Sequence, residues 1–230
     1  MPTLHPADPL HRRALQWCAA ATLWPLRSLL HRAAHPFGAA QAFRSPDRRM
    51  LEDVILERYA ASPRRLEVLF VGTRWYTGAY ERLLAGHGYL TIDVDPRAAC
   101  HGSAQGHVTL CASEAAACFA AGRFDVIVFN GVFGWGLDER GAVEAAVSGF
   151  HCLLREGGEL VVGWNDVALR RPFALSELKA LHAYERFAFQ TDGPLVLEVR
   201  GPNRHRFEFF RKPFRSAPGD RGDRVAISGA

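Results

Sequence analysis

Phe124-Asp-Val-Ile-Val-Phe-Asn-Gly-Val-Phe133 holds the most hydrophobic strand candidate of this 230-residue chain. Its β-branched and aromatic residues run through Phe129 and stop at Asn130-Gly131, a turn-forming pair. A strand this apolar needs cover on both faces, so the segments around it decide the fold.

Further apolar runs lie at 66–71, 89–92, 107–111 and 159–163, and helix-like segments alternate with them near 79–85, 114–121 and 140–154. A weak helix begins after Asp93-Val-Asp-Pro96, where Asp95 reads as N-cap and Pro96 as first helical residue. The alternation predicts parallel βαβ units in a sheet covered on both faces. A helix near 175–187 follows, then strands at 194–200 and 205–212 joined by Gly201-Pro-Asn-Arg204, a turn suited to an antiparallel hairpin. Upstream, 11–34 and 46–61 read as helices. Ser45 and Pro46 start the second, and Met50, Leu51, Val54, Ile55 and Tyr59 recur along it at helical spacing.

Composition narrows the function. Hydrophobic residues make up 48% and charged residues 23%, ordinary for a soluble globular chain. The net charge of +4 is carried by scattered arginines with no block of like charge, which describes a solvated surface and makes a nucleic-acid partner unlikely on this reading. Five cysteines without a C-x-x-C pair support neither a zinc site nor a disulfide framework; they read as small buried side chains in a reducing compartment. No secretory signal is evident, and the apolar segment 14–26 is too short to span a bilayer, so a cytoplasmic location is expected.

Two segments make the pattern specific. Phe124-Asp125 opens the fourth strand, and Gly157-Gly158, within Leu153-Leu-Arg-Glu-Gly-Gly-Glu-Leu-Val-Val162, precedes the fifth. Over roughly residues 64–212 the chain resembles the class I S-adenosylmethionine-dependent methyltransferases. The resemblance implies an α/β fold: a Rossmann-like seven-stranded mixed sheet, mostly parallel with an antiparallel last strand, plus N-terminal helices. It divides the chain into an N-terminal helical extension or lid (1–62), a methyltransferase-like domain (63–213) and a disordered tail (214–230). The lid reading of 11–34 is preferred to a membrane-surface helix. The resemblance implies S-adenosylmethionine as cofactor and a small-molecule acceptor methylated at O or N, with no metal. The alternative is a methyltransferase-like protein without catalysis, acting as a binding or scaffolding module. Its motive is the first loop, Phe70-Val-Gly-Thr-Arg-Trp-Tyr-Thr-Gly-Ala-Tyr80, where Phe70 and Arg74 stand where the family has an acidic residue and a glycine. A nicotinamide enzyme is disfavoured because this loop lacks the G-x-G-x-x-G pyrophosphate turn.

Ligands of open α/β sheets sit beyond the carboxyl ends of the strands, beside the first strand. That rule nominates residues 72–78, 93–95, 111–113, 130–131 and 164–166. By resemblance the cofactor would meet Gly72, Thr73, Trp75 and Gly78 in the first loop. Asp93 would hold the ribose, Val94 would touch adenine, Ser113 would lie near the adenine, and Asn130 would lie near the methionine part. Free backbone N–H groups of the loop could meet the donor's carboxylate. Bland readings stand beside these: Arg74 in solvent, Trp75 and Tyr76 packed under the loop, Ser113 as an N-cap, and Asn130-Gly131 as a plain turn. Phe133, Trp135 and Asp138, with Trp164, Asn165 and Asp166, border the expected acceptor side. No catalytic residue is identified: no histidine stands in a diagnostic position, and Asp166 or Asp138 is only a guess for a base.

Overall fold

A computed structural model describes residues 45–214. The expected helix at 11–34, Cys18 and the segment from 215 onward lie outside the described residues.

The first described element, α1, runs through Pro46–Met50, a π-helical stretch Leu51–Leu56 and Glu57–Ala60. Pro46 occupies the first turn as expected; at Ser45 it is the carbonyl, not the hydroxyl, that takes a helix N–H, from Arg49 at 3.0 Å. The strands are β1 Glu67–Val71, β2 Gly88–Asp93, β3 His107–Thr109, β4 Phe124–Asn130, β5 Leu154–Asn165, β6 Glu185–Arg186, β7 Val196–Val199 and β8 His205–Arg211. Helix α2 is Tyr80–Leu83, preceded by a 3-10 turn Thr77–Ala79, and α3 is Arg140–Leu153.

One sheet carries the order β3-β2-β1-β4-β5-β8-β6, with β7 paired to β8 beside β6. The pairs from β3 through β5 are parallel, and β8 runs antiparallel to β5. The chain builds β1, β2 and β3 outward on one side, then returns to build β4 and β5 on the other. The reversal falls between β1 and β4. This is the mixed Rossmann-like sheet with antiparallel C-terminal strands that the sequence implied, with the two-residue β6 as an eighth strand.

Alternation along each strand sends side chains to two separate cores. Leu69, Val71, Ile127, Phe129, Leu160 and Val162 pack on one face against Val143, Val147 and Phe150 of α3. Val68, Phe70, Val126, Val128, Phe207 and Phe209 pack on the other against Leu51, Ile55 and Tyr59 of α1. Phe70 is therefore a core residue, edge-on to Tyr80 at 5.3 Å between ring centroids.

Several elements differ from expectation. In place of a helix at 175–187 stand 3-10 turns Leu175–Glu177 and Lys179–Ala183, followed by β6. The buried residues Leu175, Leu178, Leu181 and Tyr184 recur every third position, the period of a 3-10 helix, and Leu178 between the turns is extended. The carboxylate of Glu144 accepts the backbone N–H groups of Lys179 and Ala180 at 2.7 and 2.8 Å, fixing the break. The alanine-rich segment also forms a 3-10 helix, Ala112–Ala117, and Cys111 holds its N-cap position; Ser113 lies inside and donates its hydroxyl to Cys111 Sγ. Cys118 and Cys152 are exposed and Cys100 and Cys111 half-buried, so none of the four is a core side chain. Cys152 lies on the face of α3 away from Val143, Val147 and Phe150.

The Phe124-Asp125 pair has a physical role at the start of β4. The buried Asp125 carboxylate accepts the Glu67 N–H at 2.8 Å, tying β4 to β1, and pairs with Arg64 at 2.6 Å and with Arg155. Because both arginines are partly exposed and can return to water, Asp125→Ala is expected to cost about 1–3 kcal/mol, read as a lower urea midpoint.

Candidate functional site

A cavity of about 350 Å³ opens at the carboxyl ends of β1 and β4, at the point where the chain reverses direction across the sheet. Its size is that of a small-ligand site. Gly72 follows β1, Asp93 and Val94 close β2, and Leu110, Cys111 and Ala112 follow β3. Asn130 and Gly131 end β4, and Asn165 ends β5. All five strand-end clusters named from sequence thus send at least one residue to the cavity wall.

The first loop is drawn tight by its own hydrogen bonds. Gly72 adopts φ +90°, and a Cβ there would stand 2.7 Å from Val132 Cγ2 in the loop after β4. Glycine is required on both counts. The Gly72 N–H donates to Ile92 O at 2.8 Å, Thr73 N–H to Asp93 Oδ2 at 2.7 Å, and Arg74 N–H to Thr77 Oγ1 at 3.1 Å. These backbone donors, expected to be free for a ligand carboxylate, are spent inside the protein. Asp93, 6% exposed, takes a further N–H from Asp95 on Oδ1 at 2.8 Å, and Asp95 in turn caps the 3-10 helix Pro96–His101 through the Arg97 N–H. Arg74 lines the cavity with its side chain about half exposed, and it is held on the loop. Its Nη1 donates to Thr73 O at 2.8 Å and reaches Asp93 Oδ2 at 3.3 Å.

Of the eight cofactor candidates, Gly72, Asp93, Val94 and Asn130 line the cavity. Thr73 is fully buried behind the wall, where it orients Asp93 and bonds Ala98 O at 3.1 Å. Trp75 is 47% exposed and edge-on to Tyr76, which itself lines the cavity with the Arg48 guanidinium 4.7 Å from its ring centre. Gly78 sits in the 3-10 turn with open space beside it, and Ser113, its hydroxyl on Cys111 Sγ, does not line the cavity. On the expected acceptor side, Trp135 and Asn165 line the wall, whereas Phe133 and Trp164 pack on each other in the core. Asp138 lies off the wall beside the Gly136 N–H, and Asp166 is buried among Arg171, Arg206 and Arg204 at 2.6, 3.0 and 3.5 Å. Ion-paired in this way, Asp166 is poorly placed to take a proton from a ligand.

The residue that sequence reasoning missed is His205. It opens β8, pairs with Asn165 across the sheet and is 5% exposed at the cavity wall. The rule of carboxyl ends holds for parallel strands; an antiparallel strand brings its first residue to the same edge. The expected antiparallel last strand therefore already pointed to residue 205 and to Asn203 in the preceding turn. Asn165 is fixed from both ends, its Oδ1 accepting Trp135 Nε1–H at 3.1 Å and its Nδ2 donating to Asn203 O at 3.2 Å. Its oxygen faces His205 Nδ1 at 3.3 Å, while His205 Nε2 lies 3.0 Å from Asn130 Oδ1. Burial pushes the His205 imidazole down to about 4, with Asp47 at the cavity rim opposing that shift, so the ring is neutral at pH 7. Both ring nitrogens face an amide oxygen, so the single proton of the neutral ring can serve only one of them, Asn165 Oδ1 through Nδ1 or Asn130 Oδ1 through Nε2. Among the described residues no cluster of His, Cys, Asp or Glu could hold a metal, and no helix is long and apolar enough to cross a membrane.

No family model and no curated protein matches the sequence. Solved structures do match the fold. The N-methyltransferase NodS from Bradyrhizobium japonicum WM9 is 20% identical with a TM-score of 0.56, over 74% of this chain and 98% of that one. The same protein in complex with S-adenosylhomocysteine is 22% identical with the same TM-score, over 76% and 91%. The Burkholderia thailandensis 1,6-didemethyltoxoflavin-N1-methyltransferase, with bound 1,6-didemethyltoxoflavin and S-adenosylhomocysteine, is 18% identical with a TM-score of 0.52, over 93% and 94%. At these identities the likeness is one of fold.

Proposed function

We propose that this chain, which has the fold of the class I S-adenosylmethionine-dependent methyltransferases, is such an enzyme and methylates a small molecule at O or N. One observation carries the reading: Asp93 closes β2 with its carboxylate in the cavity wall, opposite the close approach of Gly72 to the loop after β4. A carboxylate at a strand end can accept both hydroxyls of a ribose, and a glycine with left-handed φ lets a ligand lie against bare backbone.

The residues present fit the donor. Asp93 would hold the ribose, with Val94, Leu110 and Ala112 beside the base, and Gly72 and Asn130 flanking the methionine part. With the N–H groups of Gly72, Thr73 and Arg74 spent inside the protein, the donor's carboxylate would turn to a guanidinium of the wall such as Arg48, which is held on Glu52 at 2.8 Å. When bound, S-adenosylmethionine supplies an electrophilic methyl group on a sulfonium. The chain itself positions the acceptor and keeps water out. At the acceptor end the His205 ring stands between Asn165 Oδ1 and Asn130 Oδ1, with Trp135 and Asn203 holding Asn165 in place; with its proton on Nδ1 the ring would turn an Nε2 lone pair to an O–H or N–H of the acceptor. Nitrogen-15 NMR of the imidazole reads the tautomer, with a titration midpoint near 4 expected: an Nδ1–H ring supports His205 as a proton acceptor, and an Nε2–H ring removes it from that role. Asp47 and Arg48, near the start of α1, line the cavity.

Calorimetry with S-adenosylhomocysteine tests the proposal, with micromolar affinity expected and no heat at millimolar ligand counting against it. The second reading, a non-catalytic binding module, is favoured by one contact: Arg74 already rests on the Asp93 carboxylate. Cofactor binding without methyl transfer to any O–H or N–H compound tried would support it.

A further inference from the structure

The contact between Arg74 and Asp93 bears on how tightly the site can hold a nucleoside. An ionised carboxylate offers about four acceptor positions, two on each oxygen. Asp93 Oδ1 takes the Asp95 N–H, leaving one position open. Asp93 Oδ2 takes the Thr73 N–H at 2.7 Å and Arg74 Nη1 at 3.3 Å, so both of its positions are filled; the Thr73 hydroxyl is nearer Ala98 O, at 3.1 Å, than Oδ2, at 3.5 Å. A vicinal diol needs two acceptor positions, one per hydroxyl. One is available and the other is held by a guanidinium.

We propose that Arg74 is a latch on the nucleoside site: it occupies the acceptor position on Asp93 that a ribose hydroxyl needs, and it must swing away before the diol can bind in full. The inference rests on the reading of the cavity as a nucleoside-donor site. The latch is built to move. The Arg74 side chain is 54% exposed, while the Asp93 side chain is 5% exposed and is held by two backbone N–H groups. The guanidinium has a second hold on Thr73 O, so release breaks two hydrogen bonds of one exposed group and none of the loop's backbone bonds. Arg74 thereby sets the affinity for the ribose.

Adenosine isolates the effect, because it carries the diol and no charge. Calorimetry on the folded chain is expected to show adenosine binding about two- to fivefold more tightly to Arg74→Met than to the wild type, the range of a half-exposed ion pair. Raising KCl from about 50 to about 500 mM screens the pair, so the wild-type affinity is expected to rise toward that of the variant while the variant's stays flat. S-adenosylhomocysteine should follow adenosine. Unchanged or weaker adenosine binding by Arg74→Met overturns the latch. So does weaker S-adenosylhomocysteine binding with adenosine unchanged, which makes Arg74 the partner of the ligand's carboxylate instead. If neither ligand binds either protein at millimolar concentration, the nucleoside site itself is refuted, and the latch falls with it. Matching thermal melts of variant and wild type exclude unfolding as the cause.

Discussion

Replacing Asp93 by alanine is expected to weaken S-adenosylhomocysteine binding at least about 100-fold, since hydrogen bonds to a charged group contribute about 1.5–3 kcal/mol each and the ribose would lose two. The same substitution removes the acceptor for two backbone N–H groups, of Thr73 and Asp95, and frees Arg74. Leaving such donors unpaired in a buried place should cost the fold about 1–3 kcal/mol. Asp93→Asn separates the two effects. The amide keeps an oxygen for one loop N–H and a similar shape, so most stability should survive, while the lost charge should still weaken ligand binding about tenfold. Calorimetry and urea unfolding on the three proteins together decide it. Wild-type affinity in Asp93→Ala would remove this carboxylate from the site.

The second large effect is acid sensitivity. Burial pushes both His205 and His107 down to about 4 from the ordinary value of 6.5. In the unfolded chain each takes up its proton near pH 6.5, while the folded protein keeps them neutral until about pH 4. Between those values the unfolded state binds more protons, so stability is lost as pH falls through that window and is fully present above it. The full shift corresponds to about 3 kcal/mol for His205 at pH 4, and less for the more open His107. Urea unfolding at pH 7, 6, 5 and 4 should show the decline, and His205→Gln should flatten much of it. A wild-type protein whose stability is level from pH 7 to 4.5 contradicts the buried, neutral His205 on which the acceptor end depends.

The parallel part of the fold was legible because its signal is local. β1, β2, β4 and the second half of β5 are largely apolar, buried runs, and burial on both faces needs little more than that; the short edge strand β3 is only half-buried. The carboxyl-end rule then picked out Gly72, Asp93, Val94 and Asn130, all of which reach the cavity. Thr73, Trp75, Gly78 and Ser113 do not, because turn geometry inside a loop has no sequence period to betray it. Thr73 points back to orient Asp93, and Ser113 follows a 3-10 rather than an α-helical start. The segment 175–187 was misread because three-residue and 3.6-residue periods differ little over two turns, and the contacts from Glu144 that fix the break between the turns come from 35 and 36 residues away. His205 was missed through direction alone: it is the first residue of a strand that runs against the others.

A crystal structure of the chain grown with S-adenosylhomocysteine tests the central claim most directly. The ribose hydroxyls are expected within hydrogen-bond reach of Asp93, with Arg74 displaced from that carboxylate and the ligand lying against Gly72 and Asn130. A ligand bound elsewhere, or a cavity still closed by Arg74 on Asp93 at millimolar ligand, would contradict it.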